Sequence, residues 1–167
     1  MEIRKLTSTD WCKYKALRLL SLKESPQSFE NGMDDELPLT DEQWKVRVTP
    51  SNESFIVGTF VNGELVAIAG FSRGHKKKTS HKSYLWGVFV DLSYRGKGMA
   101  TDLLQFILSE FENLDGVDQI QLTVGSENKE AIGLYQKLGF KHYGIEIDSL
   151  RINGVSYDEL LMCRSSI

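Results

Sequence analysis

Hydrophobic positions along this chain switch between two periods. Residues 84–90 (Tyr84, Leu85, Trp86, Gly87, Val88, Phe89 and Val90) are apolar at nearly every position, which predicts a central strand covered on both faces. Beyond a glycine-containing turn, Leu103, Leu104, Ile107, Leu108 and Phe111 recur at helical spacing and mark one buried face. Ile120, Leu122 and Val124 then alternate with Gln119, Gln121 and Thr123 as a further strand. Ala131, Leu134, Tyr135 and Leu138 share one face of a second helix, which Gly139 is placed to end in a left-handed cap. Upstream, a strand over residues 3–6 leads through Thr9 or Asp10 as a cap into a helix carrying Tyr14, Leu17, Leu20 and Leu22. That helix has to stop before Pro26. Thr40 and Gln43 have the spacing of a capping box for a helix over residues 41–48. Asn62-Gly63 reads as a hairpin turn between strands at 55–60 and 65–71, and Asn153-Gly154 as another between 143–150 and 157–163. Residues 73–82 are polar and read as a loop. The sum is a single α/β domain over residues 1–167, with a mixed sheet flanked by helices.

Composition narrows the functional class. Apolar residues make up 41% and charged residues 26% of the 167, ordinary values for a globular domain large enough to bury one core. No run approaches the ~20 apolar residues of a spanning helix, and the amino terminus lacks a secretory leader pattern, so the expectation is a cytoplasmic protein without membrane partners. Cys12 and Cys163 are far apart and read as buried thiols. His75, His81 and His142 show no ligand spacing, so no metal is expected. A net charge of -3 argues against nucleic-acid binding. A homodimer is possible, but no apolar stripe argues for it.

The chemistry concentrates at Arg95-Gly96-Lys97-Gly98-Met99-Ala100, between the apolar strand and the helix after it. Glycines there let consecutive backbone N–H groups turn toward one anion at the positive end of a helix, a phosphate cradle. With the series Asn128, Ala131, Tyr135, Gly139 and Phe140 downstream, the chain resembles the GNAT superfamily of acyl-CoA-dependent N-acetyltransferases. The family's Arg-x-x-Gly-x-Ala turn and its Asn, Ala, Tyr and Gly-Phe series occur in the expected order.

That resemblance implies an α/β (α+β) GNAT-like fold with a mixed, mostly antiparallel sheet, and acetyl-CoA as cosubstrate. The pyrophosphate would lie on Arg95, Gly96, Lys97, Gly98, Met99, Ala100 and Thr101. The pantetheine would pair with Val88, Phe89 and Val90 where the strand splays from its neighbour, with Asn128 near the cofactor. Tyr135 would be the catalytic acid, donating to the departing thiolate. Asn128 also suits an ordinary helix N-cap, and the Lys97 side chain suits solvent. The family's strand glutamate has no counterpart within residues 84–90. Proton abstraction is left to an ordered water, a backbone carbonyl, His81 or an amine that arrives neutral, while Asp91 suits a turn cap. Oxyanion stabilisation would fall to a backbone N–H near Val90.

On the acceptor side, Glu24, Glu30, Asp34, Asp35, Glu36, Asp41 and Glu42 form a stretch without Lys or Arg. It reads either as an acidic lip that attracts a cationic amine or as a solvated face. The basic loop with Arg73, His75, Lys76, Lys77, Lys78 and Lys82 could meet the adenosine phosphate, bind an acidic partner or stay mobile. The expected activity is acetyl transfer to a primary amine of a small molecule, polyamine or peptide by direct attack in a ternary complex. The alternatives are a protein N-terminal or lysine acetyltransferase, or a non-catalytic acyl-CoA sensor.

Overall fold

The computed structural model describes residues 1–166. Seven strands, β1 (Glu2–Lys5), β2 (Ser54–Val61), β3 (Glu64–Arg73), β4 (Lys82–Val90), β5 (Gln119–Gly125), β6 (Lys141–Ile152) and β7 (Val155–Ser165), form one sheet in the order β1-β2-β3-β4-β5-β7-β6. Only the β4–β5 pair is parallel; the remaining pairs are antiparallel. The helices are α1 (Trp11–Glu24), α2 (Met33–Glu36), α3 (Asp41–Val48), α4 (Met99–Glu112) and α5 (Lys129–Lys137). No helix among the described residues is long and apolar enough to cross a membrane.

Local signals account for most boundaries. The Thr40 hydroxyl accepts from Gln43 N at 3.2 Å and Gln43 Oε1 accepts from Thr40 N at 2.8 Å, so the capping box satisfies two donors at the start of α3. Both hairpin turns need positive φ at two successive residues, and Asn62-Gly63 (51° and 83°) and Asn153-Gly154 (50° and 78°) supply it. Gly139, at φ 88°, ends α5, with Phe140 N donating to Tyr135 O at 3.0 Å.

The sheet separates two cores. On one side α4 buries Leu103, Leu104, Ile107, Leu108 and Phe111 against Val57, Phe71 and Ile120. On the other, α1 and α3 bury Tyr14, Leu17 and Trp44 against Ile56 and Ile68. The buried face of α1 is Tyr14, Leu17, Arg18, Ser21 and Leu22, a stripe at i, i+3, i+4, i+7 and i+8 with an arginine in its middle. Cys12 lies off that stripe and is exposed, which corrects the buried-thiol expectation, and Cys163 is only partly buried.

Strand β4 departs from a continuous ladder in two ways. The register with β3 shifts between Ile68 and Gly70, opposite Gly87, whose φ is 63°. An extra residue at a bulge flips the faces of all that follow. Leu85 accordingly packs in the α4-side core and Trp86 in the α1-side core, while Val88 and Val90 return to the α4 side and Phe89 to the α1 side. Pairing of β4 with β5 spans only Lys82–Tyr84 and Gln119–Gln121, after which the two strands diverge. β5 nevertheless stays paired with β7 through Gly125. The two-faced burial expected for residues 84–90 is therefore incomplete: Trp86, Gly87, Val88 and Val90 are partly exposed along the groove that the divergence opens, and Tyr84, still paired with Gln121, is exposed outside it.

Candidate active site

The divergence of β4 from β5 creates a groove of about 1620 Å³. Val88, Phe89 and Val90 line one wall, and Leu122, Thr123 and Val124 the other. Arg95, Gly96, Gly98, Met99, Ala100 and Thr101 contribute from the glycine turn, and Asn128 and Tyr135 from α5. The rest of the lining comes from Ser25, Gln27, Ser28 and Phe29, and from Ser156, Tyr157 and Asp158 on β7, where Ser126 N donates to Asp158 O at 2.9 Å. Eleven of the twelve residues singled out in the sequence thus line one cavity; Lys97 does not.

The glycine turn is built as a concave donor surface. Gly96 and Gly98 have φ of 73° and 80°, a region that disfavours residues with a Cβ. A Cβ built at either position would meet no atom within 4 Å, so the space in front of both is open. Gly98 is the N-cap of α4, whose first-turn N–H groups have no intrahelical acceptor and present the positive end of the helix dipole. Arg95 is folded back: its Nε donates to Val90 O at 2.9 Å and its guanidinium lies 5.5 Å from the Phe89 ring. Lys97 Nζ donates to Ser93 O at 3.1 Å, away from the groove.

Asn128 Oδ1 accepts from Ala131 N at 3.2 Å, so the residue caps α5 while it lines the groove. Tyr135 is buried, with its ring edge-on to Phe140 at 5.8 Å and 66°. Burial raises its phenol pKa well above 10, so the hydroxyl keeps its proton at neutral pH. Asp91 Oδ1 accepts from Ser93 N at 2.8 Å and caps the short turn after β4, and neither Asp91 nor His81 lines the groove. The basic loop precedes β4, whereas the glycine turn follows it. These two segments therefore sit at opposite ends of the strand, and Arg73 is tied down by donation from Nε to Ser80 O at 2.7 Å.

The acidic stretch presents no carboxylate to the groove; its lining residues are Ser25, Gln27, Ser28 and Phe29. Four of its acids are engaged elsewhere. Asp35 Oδ2 accepts from Gly32 N, Glu42 pairs with Lys45 at 2.6 Å and Asp41 with Lys15 at 3.6 Å. Glu36 is fully buried, accepting from Arg18 Nε (3.1 Å) and Nη2 (2.8 Å) and from Asn31 Nδ2 (3.1 Å), with Arg47 Nη1 at 3.0 Å. Burial alone would push the Glu36 carboxyl up, but the Arg18 hydrogen bonds and the charges of Arg18 and Arg47 hold it below its ordinary value. Sequence reasoning passed over Arg18; the available signal was a cation at a core position of the α1 stripe.

Comparison with known proteins identifies the family and the fold. The family model described as "Acetyltransferase (GNAT) family" matches residues 15–140. The L-amino acid N-acetyltransferase AaaT of Escherichia coli (strain K12) is 26% identical over 151 residues, 90% of this chain and 91% of that protein. The spermine/spermidine N(1)-acetyltransferase of Bacillus subtilis (strain 168) is 30% identical over 95 residues, 55% of this chain and 62% of that protein. Among solved structures, an acetyltransferase of the GNAT family from Streptococcus pneumoniae superposes with a TM-score of 0.87 at 23% identity, covering 98% of both chains.

Proposed function

This chain belongs to the GNAT acetyltransferase family, whose members use acetyl-CoA as cosubstrate, and on that premise we propose that it moves the acetyl group of acetyl-CoA to a primary amine in a ternary complex. The observation that carries the reading is the groove itself, which joins an anion cradle to a buried, protonated tyrosine and to a stretch lined by Ser25, Gln27, Ser28 and Phe29, read here as the acceptor end. Its volume of about 1620 Å³ exceeds the ~300–1,000 Å³ of a typical single-ligand pocket, which supports two substrates held side by side.

In this reading the N–H groups at Gly96, Gly98 and the first turn of α4 hold the pyrophosphate. Val88, Phe89 and Val90 offer the unpaired edge of β4 to the pantetheine amides, as a strand accepts a further strand. Asn128 fixes the start of α5, and so the height at which Tyr135 enters the groove. A neutral amine attacks the thioester carbonyl, forming an N–C bond as the C–S bond breaks. Backbone N–H groups near the β4 bulge stabilise charge developing on the carbonyl oxygen. Tyr135 gives its proton to the departing sulfur, and the proton shed by the amine passes to water at the open acceptor end, from which Tyr135 is recharged. The missing strand carboxylate suits this route, because the base is then solvent. The whole described chain acts as one catalytic unit.

The test is calorimetric titration with acetyl-CoA, followed by thiol release with a panel of amines. Saturable binding and amine-dependent thiol release are expected. Binding without turnover on any amine would overturn the enzyme reading in favour of a sensor.

A further inference from the structure

Arg18 is the charged residue among three whose buried side-chain polar atoms lack a hydrogen-bond partner among the described residues, the others being Trp44 and Thr59. Its side chain is 8% exposed; Nε and Nη2 are spent on Glu36, while Nη1 is buried with no hydrogen-bond partner among the described residues. Such a donor carries a desolvation cost that no hydrogen bond offsets. The free nitrogen also points somewhere specific. A Cβ placed on Gly87 would lie 3.9 Å from Nη1, and Gly87 is the bulge residue that lines the groove. The guanidinium carbon stands 4.7 Å from the centre of the Phe29 ring, which lines the same groove.

The charge around it is unbalanced in the same sense. The cluster holds two cations, Arg18 and Arg47, against the single carboxylate Glu36; Asn31 is neutral, and burial keeps the Tyr14 phenol protonated. Within this cluster one positive charge has no carboxylate of its own, and Arg18 Nη1, with two N–H bonds, is the donor left free beside Gly87; Asp158, the carboxylate that lines the groove from β7, is occupied in accepting from Asp148 N at 2.8 Å. That is the complement of a monoanion. The cofactor phosphates do not meet this demand, since their cradle lies beyond Val90, past the far end of the strand segment.

We propose that Arg18 Nη1 binds a carboxylate carried by the acceptor, so that the substrate is a small amino acid whose amine lies a few bonds from its carboxyl group. This rests on the acetyl-transfer reading above. The carboxylate docks against Arg18 beside Gly87, and the amine is thereby held at the β4 bulge. Arg47 and Asn31 act as positioning residues, keeping Glu36 on the far side of the guanidinium. Gly87 serves the site twice, turning the strand and leaving the approach to Nη1 clear of a side chain.

The experiment compares L-amino acids with their own carboxamides and with simple amines of equal length, at fixed saturating acetyl-CoA, in the wild type, Arg18→Lys and Arg18→Gln. Wild-type enzyme should prefer the carboxylate by about 10- to 100-fold in kcat/KM, mostly through KM, as expected for losing a charged hydrogen bond. The carboxamides carry more neutral amine at pH 7, so a preference for the acids runs against intrinsic reactivity. Arg18→Lys should retain part of the preference and Arg18→Gln none, with acetyl-CoA affinity by calorimetry nearly unchanged in both. If Arg18→Gln fails to fold, the wild-type panel and Arg18→Lys decide the matter. Equal use of acids, amides and simple amines by the wild type would overturn the carboxylate site and leave acetyl transfer intact. Absence of acetyl-CoA binding would overturn both.

Discussion

Replacing Glu36 with Gln should be the most damaging isosteric change in the α1-side core. The carboxylate is 0% exposed and is the shared partner of two guanidiniums, at 2.8 Å from Arg18 Nη2 and 3.0 Å from Arg47 Nη1. Removing one partner of a buried ionic cluster costs about 3–5 kcal/mol, because the surviving charges stay buried and unpaired. Gln keeps one acceptor oxygen, which places the expected loss near the lower end, about 3 kcal/mol. For a chain of this length that corresponds to a fall in Tm of about 6–12 °C. Urea unfolding followed by fluorescence suits the measurement, since the buried Trp44 ring lies 5.0 Å from the Arg47 guanidinium. Acid adds a second handle. The Glu36 pKa is lowered from 4.5 in the folded state, so its contribution is present in full above pH 4.5 and disappears as the pH falls through the lower folded value. The stability gap between wild type and variant should be constant from pH 7 to 5 and close below that, where the wild type takes up the proton that Gln mimics. A gap under about 1 kcal/mol at pH 7, or one that stays constant down to pH 3, would refute the reasoning.

Three further outcomes are expected. Tyr135→Phe should lower kcat by about 100-fold or more with acetyl-CoA affinity and Tm almost unchanged, because the ring packing on Phe140 survives; an unaffected kcat would remove the tyrosine from the mechanism. Since burial raises the Tyr135 phenol, its protonated form persists through the assay range and kcat/KM should rise as the acceptor amine deprotonates; a descending limb with an apparent pKa below 10 that Tyr135→Phe abolishes would contradict this. Gly98→Val forces a β-branched residue to φ 80°, at a cost of order 1–3 kcal/mol, and should weaken acetyl-CoA binding at least 10-fold; calorimetry showing unchanged affinity would sink the cradle.

Legibility of the fold followed the range of the forces involved. The buried face of α4, the capping box at Thr40 and both hairpin turns are set by residues within a few positions of one another, and each was readable from the chain. The glycine turn and the α5 series were readable for the same reason, with the family resemblance joining them into one site. What escaped depends on how separate segments meet. The apolar pattern Tyr14, Leu17, Leu20 and Leu22 does not reveal Arg18, because Leu20 is only partly buried and Arg18 takes a core position. Only the approach of Glu36, eighteen residues away, makes that burial tolerable. The acidic stretch looked like a lip because its partners Lys15, Lys45, Arg18 and Arg47 come from outside it. Gly87, inside an apolar strand, did carry a local signal for a bulge, but the face reversal that follows depends on the register with β3.

The placement of β7 has a bearing on how the protein is made. β6 pairs only with β7, and β7 in turn covers the edge of β5 along Gln119–Gly125. During synthesis, a ribosome that has delivered everything up to residue 154 therefore leaves β5 with a bare row of peptide groups and β6 with no berth in the sheet. Such an intermediate presents the kind of open strand that neighbouring nascent chains can pair with. Wedging residues 155–165 between two earlier strands is then the step that seals the sheet, and chaperone demand should peak just before it.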